Sequence, residues 1–147
     1  MYYNTPEQNK KLIERYPFLL HRHDETDEAP NGYDYSYTLA EYIPVGWYKA
    51  FGIRMFEELR ELLLESGLIK EYRLFRFSNT FGSITLGDNF GWNPYSSRYL
   101  KIINKYEELS RHTCIVCGKM ATYMTKGKFY PYRTEHLPKN QPYEPIK

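Results

Sequence analysis

Cysteine is scarce in this sequence of 147 residues, and neither a long apolar run nor an apolar N-terminal segment is present. Two cysteines cannot build the disulfide framework of a small secreted domain. A helical membrane span needs about 20 consecutive apolar residues, so the composition excludes one. Because the first residues also lack the apolar core of a secretory signal, we expect a cytoplasmic protein.

The two cysteines, Cys114 and Cys117, form a C-x-x-C-G motif that is typical of one half of a zinc ribbon. The spacing places two thiolates at neighbouring corners of a tetrahedron, and Gly118 allows a positive φ directly afterwards. A complete ribbon has a second ligand pair about 15–20 residues further on. Here Arg133 and His136 occupy those places. His136 can bind zinc, whereas the guanidinium of Arg133 has no acceptor atom.

Three interpretations of this motif stay open. Zinc is held by the two cysteines and His136, with water, His112 or Glu135 as the fourth ligand. Alternatively, the knuckle holds no metal and is maintained by packing. The third interpretation, a redox pair, is less favoured because no strand-to-helix context of the thioredoxin type surrounds it. A three-ligand zinc is also typical of catalysis, but no acid or base lies at a fixed spacing nearby.

Charge is unevenly distributed along the chain. Residues 1–100 contain 11 basic and 14 acidic side chains, a net charge of −3, whereas residues 101–147 contain 9 and 4, a net charge of +5. The C-terminal part is therefore the candidate region for an anionic partner. Basic side chains beside aromatic rings are typical of single-strand binding, and they are Lys119, Lys126, Lys128, Arg133 and Lys139 beside Phe129, Tyr130 and Tyr132. The alternative is that these lysines only keep a small exposed hairpin soluble.

Tyrosine is in excess, with 16 residues beside 8 phenylalanines and 2 tryptophans. A core of this size does not need so many rings, and tyrosine suits interfaces. Tyr33, Tyr35 and Tyr37 alternate along a strand or extended arm, which predicts an interface with three rings on one side. The alternative is a half-buried core in which each hydroxyl finds a partner.

Local patterns predict an α+β fold, with helices packed on a small antiparallel hairpin. A capping box at residues 5–8 begins a first helix, and residues 46–66 form an amphipathic helix that ends at Gly67. Residues 71–77 and 83–86 form a hairpin, with the side chains of residues 72, 74 and 76 facing one way. Residues 93–111 form the last helix.

A zinc-ribbon-like knuckle and hairpin follow, with strands at residues 121–125 and 129–132. Three prolines in residues 138–147 predict an extended tail. The predicted organisation is therefore an α+β body (1–111), a zinc-ribbon-like module (112–137) and a tail (138–147). A second, weaker metal cluster is His21, His23 and Asp24 in a polar loop.

Three stretches carry a resemblance to a family of small phage and prophage proteins. They are GWYKAF at residues 46–51, FGS at residues 81–83 and KYEELSRHTCIVCGKMA at residues 105–121. The similarity covers about residues 45–136. It implies a ribbon that family members complete with cysteine at the place of Arg133 and with cysteine or histidine at that of His136. It also implies binding to a host protein or ribonucleoprotein, for example a defence complex, in the cytoplasm of the host cell.

The sequence thus favours a non-enzymatic binding protein that docks on such a complex and inhibits or modulates it, with zinc as the expected cofactor. One alternative is a nucleic-acid-binding ribbon module. The other is a metal-dependent hydrolase, which is disfavoured because neither candidate metal cluster has a paired carboxylate or a positioned base.

Overall fold

A computed structural model describes residues 4–22 and 29–147. Helices and small antiparallel sheets alternate along the chain, and the predicted α+β class is confirmed. The elements are α1 (Pro6–Arg15), α2 (Val45–Trp47), α3 (Ile53–Ser66), β1 (Leu74–Thr80), β2 (Ser83–Asp88), α4 (Ser96–Arg111), β3 (Tyr123–Thr125), β4 (Pro131–Tyr132) and β5 (Tyr143–Pro145). Short 3-10 turns lie at Pro17–Leu19, Leu39–Tyr42 and Thr134–His136.

Helix α1 begins with the predicted capping box. The Thr5 hydroxyl accepts a hydrogen bond from the Gln8 N–H, and the Gln8 side chain accepts one from the Thr5 N–H. These bonds satisfy two backbone donors that a helix start leaves open. Asn9, the one buried residue of α1, donates a 2.8 Å hydrogen bond to the carbonyl of Tyr35 and thereby fixes the helix to the following loop.

The helix predicted over residues 46–66 is present, with one irregularity. It starts as α2, passes through a π-turn at Tyr48–Gly52 and continues as α3. Gly67 ends it with a φ of 75°, and the Leu68 N–H bonds back to the Leu63 carbonyl at 2.9 Å. A π-turn inside a helix is frequently found near functional sites. This π-turn begins two residues after Gly46, whose backbone contacts the loop that carries Cys114.

Strands β1 and β2 form the predicted hairpin, but the predicted alternation of β1 is wrong. The register shifts between Leu74 and Arg76, which is a β-bulge. Leu74 and Phe77 are both buried, whereas Phe75 and Arg76 between them are exposed. Because the bulge adds one residue to the strand, the side chains on its two sides no longer follow a period of two.

Among residues 4–22 and 29–147, the core contains 21 buried residues, which all lie between Tyr16 and Tyr106. Helices α3 and α4 pack against each other, and α4 also lies along β2. Tyrosines contribute to this core. The Tyr72 and Tyr99 hydroxyls lie 2.8 Å apart, and Tyr99 donates a 2.6 Å hydrogen bond to Asp88. Burial raises the pKa of both phenols far above the usual value, so they stay neutral donors.

Residues 33–37 do not form the strand or straight arm that their alternation predicted. Tyr35 has a φ of 63°, and the Asp34 carboxylate accepts a hydrogen bond from the Ser36 N–H, which bends the chain. The three rings nevertheless lie together. The centroid of the Tyr33 ring is 5.0 Å from that of Tyr35 and 5.2 Å from that of Tyr37. Burial raises the pKa of Tyr33 to about 12. Each ring is half-buried, and the predicted interface stays a prediction.

Part of the predicted extended tail is paired as a strand. Strand β5 pairs antiparallel with β3, so the order in the small sheet is β4-β3-β5. Pro145 is compatible with this because β5 is an edge strand, where a missing N–H breaks no ladder. The residues expected to form a separate tail therefore complete the sheet of the module. In the described part of the chain no helix has the length and apolar character of a membrane span.

Candidate metal centre and the surface beside it

A tight backbone turn positions the two cysteines. The Cys114 N–H bonds to the Lys119 carbonyl at 2.8 Å, and the Gly118 N–H bonds to the Cys114 carbonyl at 3.0 Å. Gly118 has a φ of 81°, which a residue with a side chain rarely adopts. These bonds close the loop from Thr113 to Met120, whose ends form an isolated antiparallel bridge. Both thiols therefore lie on one small loop.

The loop is held against the start of the α2 helix through direct backbone contact. A Cβ added at Gly46 would lie 2.0 Å from the Cys114 carbonyl oxygen, so only glycine fits there. The Gly46 N–H donates to the Ile115 carbonyl at 2.8 Å, and the Trp47 indole donates to the Thr113 carbonyl at 2.9 Å. The Gly46-Trp47 pair thus fixes the position of the knuckle relative to the body.

Three side chains that the sequence analysis selected as metal ligands come together. The ligand atoms of Cys114, Cys117 and His136 all lie within 4.8 Å of one another, which is close enough to bind a metal ion. The Cys114 Sγ and the His136 Nδ1 are 3.6 Å apart. That distance agrees with the edge of a tetrahedral zinc site, which the usual ligand distances set at about 3.5–3.8 Å. The 3-10 turn Thr134–His136 carries the histidine to the loop.

Arg133 occupies the remaining side of this cluster. Its Nη1 lies 4.0 Å from the Cys117 Sγ, and its Nε bonds to Glu135 at 2.8 Å. Burial alone would raise the pKa of the Cys117 thiol, but the Lys119 N–H, the Arg133 guanidinium and the Cys114 thiol outweigh it, so the pKa is lowered. The sequence places arginine where a full ribbon has a ligand, and the structure places its positive charge beside the thiol.

The other proposed ligands do not join the cluster among residues 4–22 and 29–147. The His112 Nε2 lies 3.0 Å from Glu108 on the preceding turn of α4, and Glu135 is engaged by Arg133. In the second proposed cluster, the His21 ring packs on Tyr37. The other two residues of that cluster, His23 and Asp24, lie outside the described residues.

A face of four tyrosines covers the small sheet. Tyr123 pairs with Tyr132 across the sheet, and side chains of directly opposed residues share a face. The Tyr143 ring lies 5.1 Å from the Tyr123 ring. The Thr125 N–H bonds to the Tyr130 carbonyl, which continues the same pairing and adds Tyr130. We call Tyr123, Tyr130, Tyr132 and Tyr143 the tyrosine face. Met124 and Pro131, on the opposite side, are buried.

Two hairpin turns meet at one end of this sheet and flank a wide-open groove of about 360 Å³. One turn belongs to the body and carries Phe81; the other belongs to the module and carries Lys128. We call this space the tip groove, and its lining includes Asn79, Phe81, Lys128, Phe129 and Tyr130. Tyr130 therefore belongs both to the tip groove and to the tyrosine face.

The proposed nucleic-acid residues are only partly brought together. Lys128, Phe129 and Tyr130 meet in the tip groove, and Tyr132 lies on the tyrosine face. Lys126 faces Glu144 at 4.0 Å, and Arg133 is engaged at the metal cluster. Lys119 and Lys139 are exposed on other loops and do not line the groove.

Sequence reasoning missed four elements of this region, namely Gly46, Asn79, Phe81 and strand β5 with Tyr143. Gly46 and Phe81 lay within the stretches that carry the family resemblance, but nothing local predicted what they contact. The contacts that matter here join residues far apart in the chain, for example Asn79 to Phe129. Periodicity and motif spacing describe neighbours in sequence, so they do not reveal such pairs.

Comparisons with family models, with curated proteins and with solved structures find no match for this chain.

Proposed function

We propose that this chain is a non-enzymatic binding protein whose C-terminal module is stabilised by one zinc ion at Cys114, Cys117 and His136. The convergence of the three ligand atoms within 4.8 Å carries this proposal. Two thiolates and one imidazole form a donor set that zinc prefers, and the 3.6 Å separation of sulfur and nitrogen suits its tetrahedral geometry.

Burial supports a structural role for this metal. Cys114 is fully buried, Cys117 and His136 are half-buried, and the Arg133 Nη1 lies 4.0 Å from the Cys117 Sγ. A catalytic zinc keeps one position open to substrate and has a base within reach. The nearest carboxylate along the chain, Glu135, is instead paired with Arg133. The site is therefore built to hold the loop in place.

Docking on a partner is the function that such a module would serve. The metal holds the loop, and the small sheet above it presents the tyrosine face. Tyrosines at this density, three of them half-buried and Tyr143 exposed, are typical of recognition surfaces. The host protein or ribonucleoprotein complex implied by the resemblance stays a predicted partner, and inhibition of such a complex stays a predicted outcome.

Metal analysis of matched histidine variants tests the zinc site. We expect about one zinc ion per purified chain, because the cluster supplies a single set of ligands. His136→Gln should lose the metal. His112→Gln, which changes a histidine outside the cluster, should retain it. A wild-type chain without zinc after purification in zinc-containing buffer, or equal retention by both variants, contradicts the proposal.

The proposal that the protein is not an enzyme is tested by incubating the zinc-loaded chain with phosphodiester and peptide substrates, with and without a chelator. We expect no turnover in either condition, because the described residues place no paired acid and base beside the cluster. Chelator-sensitive hydrolysis would replace the binding protein with a metal-dependent hydrolase.

A further inference from the structure

We propose that the tip groove and the adjoining tyrosine face bind single-stranded nucleic acid, with Phe81 as a stacking ring and Lys128 as a phosphate contact. This inference rests on the proposed function, since it names the partner of the same module. It assigns a role to Phe81, which belongs to the body and had no predicted function.

The two turns that form the groove are locked together. The Asn79 side-chain amide donates a 2.6 Å hydrogen bond to the Phe129 carbonyl, and its oxygen accepts a 2.9 Å hydrogen bond from the Gly82 N–H. A Cβ added at Gly82 would lie 2.5 Å from the end of the Met124 side chain. The Asn79–Phe129 bond therefore connects the two sides of the groove in the folded chain.

Phe81 is in a position that folding alone does not explain. Its φ is 50°, a conformation that bulky side chains rarely adopt, and its side chain is 75% exposed. Phe81 and Gly82 both have positive φ, as in a type I′ turn, where asparagine-glycine is the preferred pair. The ring rests against Phe129 at a centroid distance of 5.6 Å. A strained backbone that displays an apolar ring to water points to recognition.

The net positive charge of the module favours an anionic partner. Residues 112–147 contain 6 basic and 2 acidic side chains, a net charge of +4. Both acidic residues are engaged, Glu135 with Arg133 and Glu144 with Lys126. No ion pair involves Lys128 in the described part of the chain, so its ammonium is available to a phosphate. A lysine beside several aromatic rings, here Lys128 beside Phe81 and Phe129, is the combination that binds single strands through their backbone and bases.

The exposed rings favour a single strand over a duplex. Stacking on Phe81 or Phe129 requires the face of a base, and in a duplex those faces are covered by neighbouring bases. Tyr130 connects the groove to the tyrosine face, so a strand that leaves the groove would continue over Tyr132 and Tyr123. An acidic or apolar peptide, the other occupant that such a surface admits, is an outcome of the test.

Fluorescence anisotropy tests whether the tip groove binds a single strand. Labelled oligo(dT) of about 20 nucleotides is titrated with the zinc-loaded full chain at several salt concentrations. Phe81→Asn removes the ring and places a preferred residue in the turn, so misfolding cannot account for weaker binding. We expect about ten-fold weaker binding for Phe81→Asn, and for Lys128→Gln a salt dependence reduced by about one unit of slope. An oligo(U) probe of equal length separates RNA from DNA preference.

Trp92→Ala is the matched control, because Trp92 is 90% exposed and lies beyond the opposite end of the β1–β2 hairpin. It should bind like the wild type. The inference is overturned if oligo(dT) does not bind at low salt, if Phe81→Asn binds unchanged, or if an acidic peptide binds and oligo(dT) does not. The oligonucleotide is recovered and sized after each titration. Cleavage would refute the non-enzymatic proposed function, whereas an intact, unbound oligonucleotide refutes only this inference.

Discussion

The body and the C-terminal module of this protein are held together by different means. All 21 residues of the main core lie in the body, and the largest side chains among them, such as Trp47 and Phe56, are fully buried. The module adds few buried apolar side chains, chiefly Ala121 and Met124 beside Cys114. It is held instead by backbone hydrogen bonds, by contact with Gly46 and by the ligand cluster. Apolar burial stabilises one region, and specific polar contacts position the other.

The difference has a physical reason. A segment of about 35 residues cannot bury enough apolar surface to fold alone, and such small units usually depend on metals or on a larger neighbour. The module is docked on the α2 helix, and it carries three side chains close enough to bind a metal. Four substitutions, given in order of decreasing expected effect, test whether the body and the module are stabilised in these different ways.

Phe56→Ala should have the largest effect, because Phe56 is fully buried among the rings of Tyr16, Phe18 and Phe77. Removing a buried phenylalanine leaves a cavity and costs about 3–5 kcal/mol of unfolding free energy. Chemical denaturation followed by Trp47 fluorescence measures it. Phe75→Ala, at a half-exposed ring on the neighbouring strand, is the control and should cost much less. Equal losses would mean that the core does not dominate the stability of the body.

Gly46→Ala should have the second-largest effect, because Gly46 lies at the junction of the two regions. Alanine would favour the helix by about 1 kcal/mol, but its Cβ would lie 2.0 Å from the Cys114 carbonyl oxygen. Overpacking of this kind costs about 1–3 kcal/mol, and here it displaces the knuckle. We expect lower zinc retention with little change in helix content by circular dichroism. Lys49→Ala, an exposed change shortly after it, should retain zinc; similar zinc loss in both variants would contradict the docking role of Gly46.

Arg133→Cys should strengthen the module without affecting the body. It replaces a cation beside Cys117 with a third thiolate, which supplies a fourth ligand at the spacing of a complete ribbon. We expect zinc to be held at least about ten-fold more tightly in competition with a chromophoric chelator. Arg133→Ser, which removes the cation without adding a ligand, is the control. Weaker zinc binding by the cysteine variant would mean that residue 133 does not point to the metal.

Loss of the Glu58 charge should have the smallest effect and should act on the body. Glu58 accepts hydrogen bonds from Lys105 and Tyr106. Burial opposes ionisation of this carboxylate, but these partners outweigh it and lower its pKa. The folded state therefore binds the proton less tightly than the unfolded state. The resulting stability is fully present above the unfolded pKa of about 4.3 and is lost as the pH falls through the folded pKa.

Glu58→Gln should remove this contribution, which is about 1 kcal/mol for a bond of this kind. Unfolding free energies of the wild type and the variant, measured from neutral pH to below pH 4, should therefore converge in acid. Glu65→Gln, whose partner Arg98 is more than half exposed, should alter the profile less. If the unfolding free energies of the wild type and Glu58→Gln differ by the same amount at every pH, ionisation of Glu58 is not involved.

Local patterns predicted the helices well, since the residues that start and end a helix are close in sequence. The capping box at Thr5 and the end of α3 at Gly67 are examples. The same reasoning failed at β1, where a bulge after Leu74 breaks the alternation, and it did not reveal that part of the predicted extended tail pairs as the edge strand β5. A bulge depends on the partner strand, and an edge strand tolerates proline, so neither is visible locally.

The candidate site was predictable to the same limited extent. Motif spacing selected Cys114, Cys117 and His136, and the structure brings them together. Spacing also showed that Arg133 takes a ligand position, but not that its guanidinium adjoins Cys117. The contacts of Gly46 with the knuckle and of Asn79 with Phe129 join distant segments. They follow from the packing of the whole chain, which no single stretch of the sequence determines.

Hydrogen–deuterium exchange of the full chain, with and without a zinc chelator, tests most directly whether metal holds the module while apolar burial holds the body. The account predicts that chelation accelerates exchange at the Cys114, Ala121 and Thr122 amides, which are bonded within the module. The amides around Leu59 and Leu62 in α3 should keep their protection. Unchanged protection of the module after metal removal, or simultaneous loss of protection in α3, would contradict it.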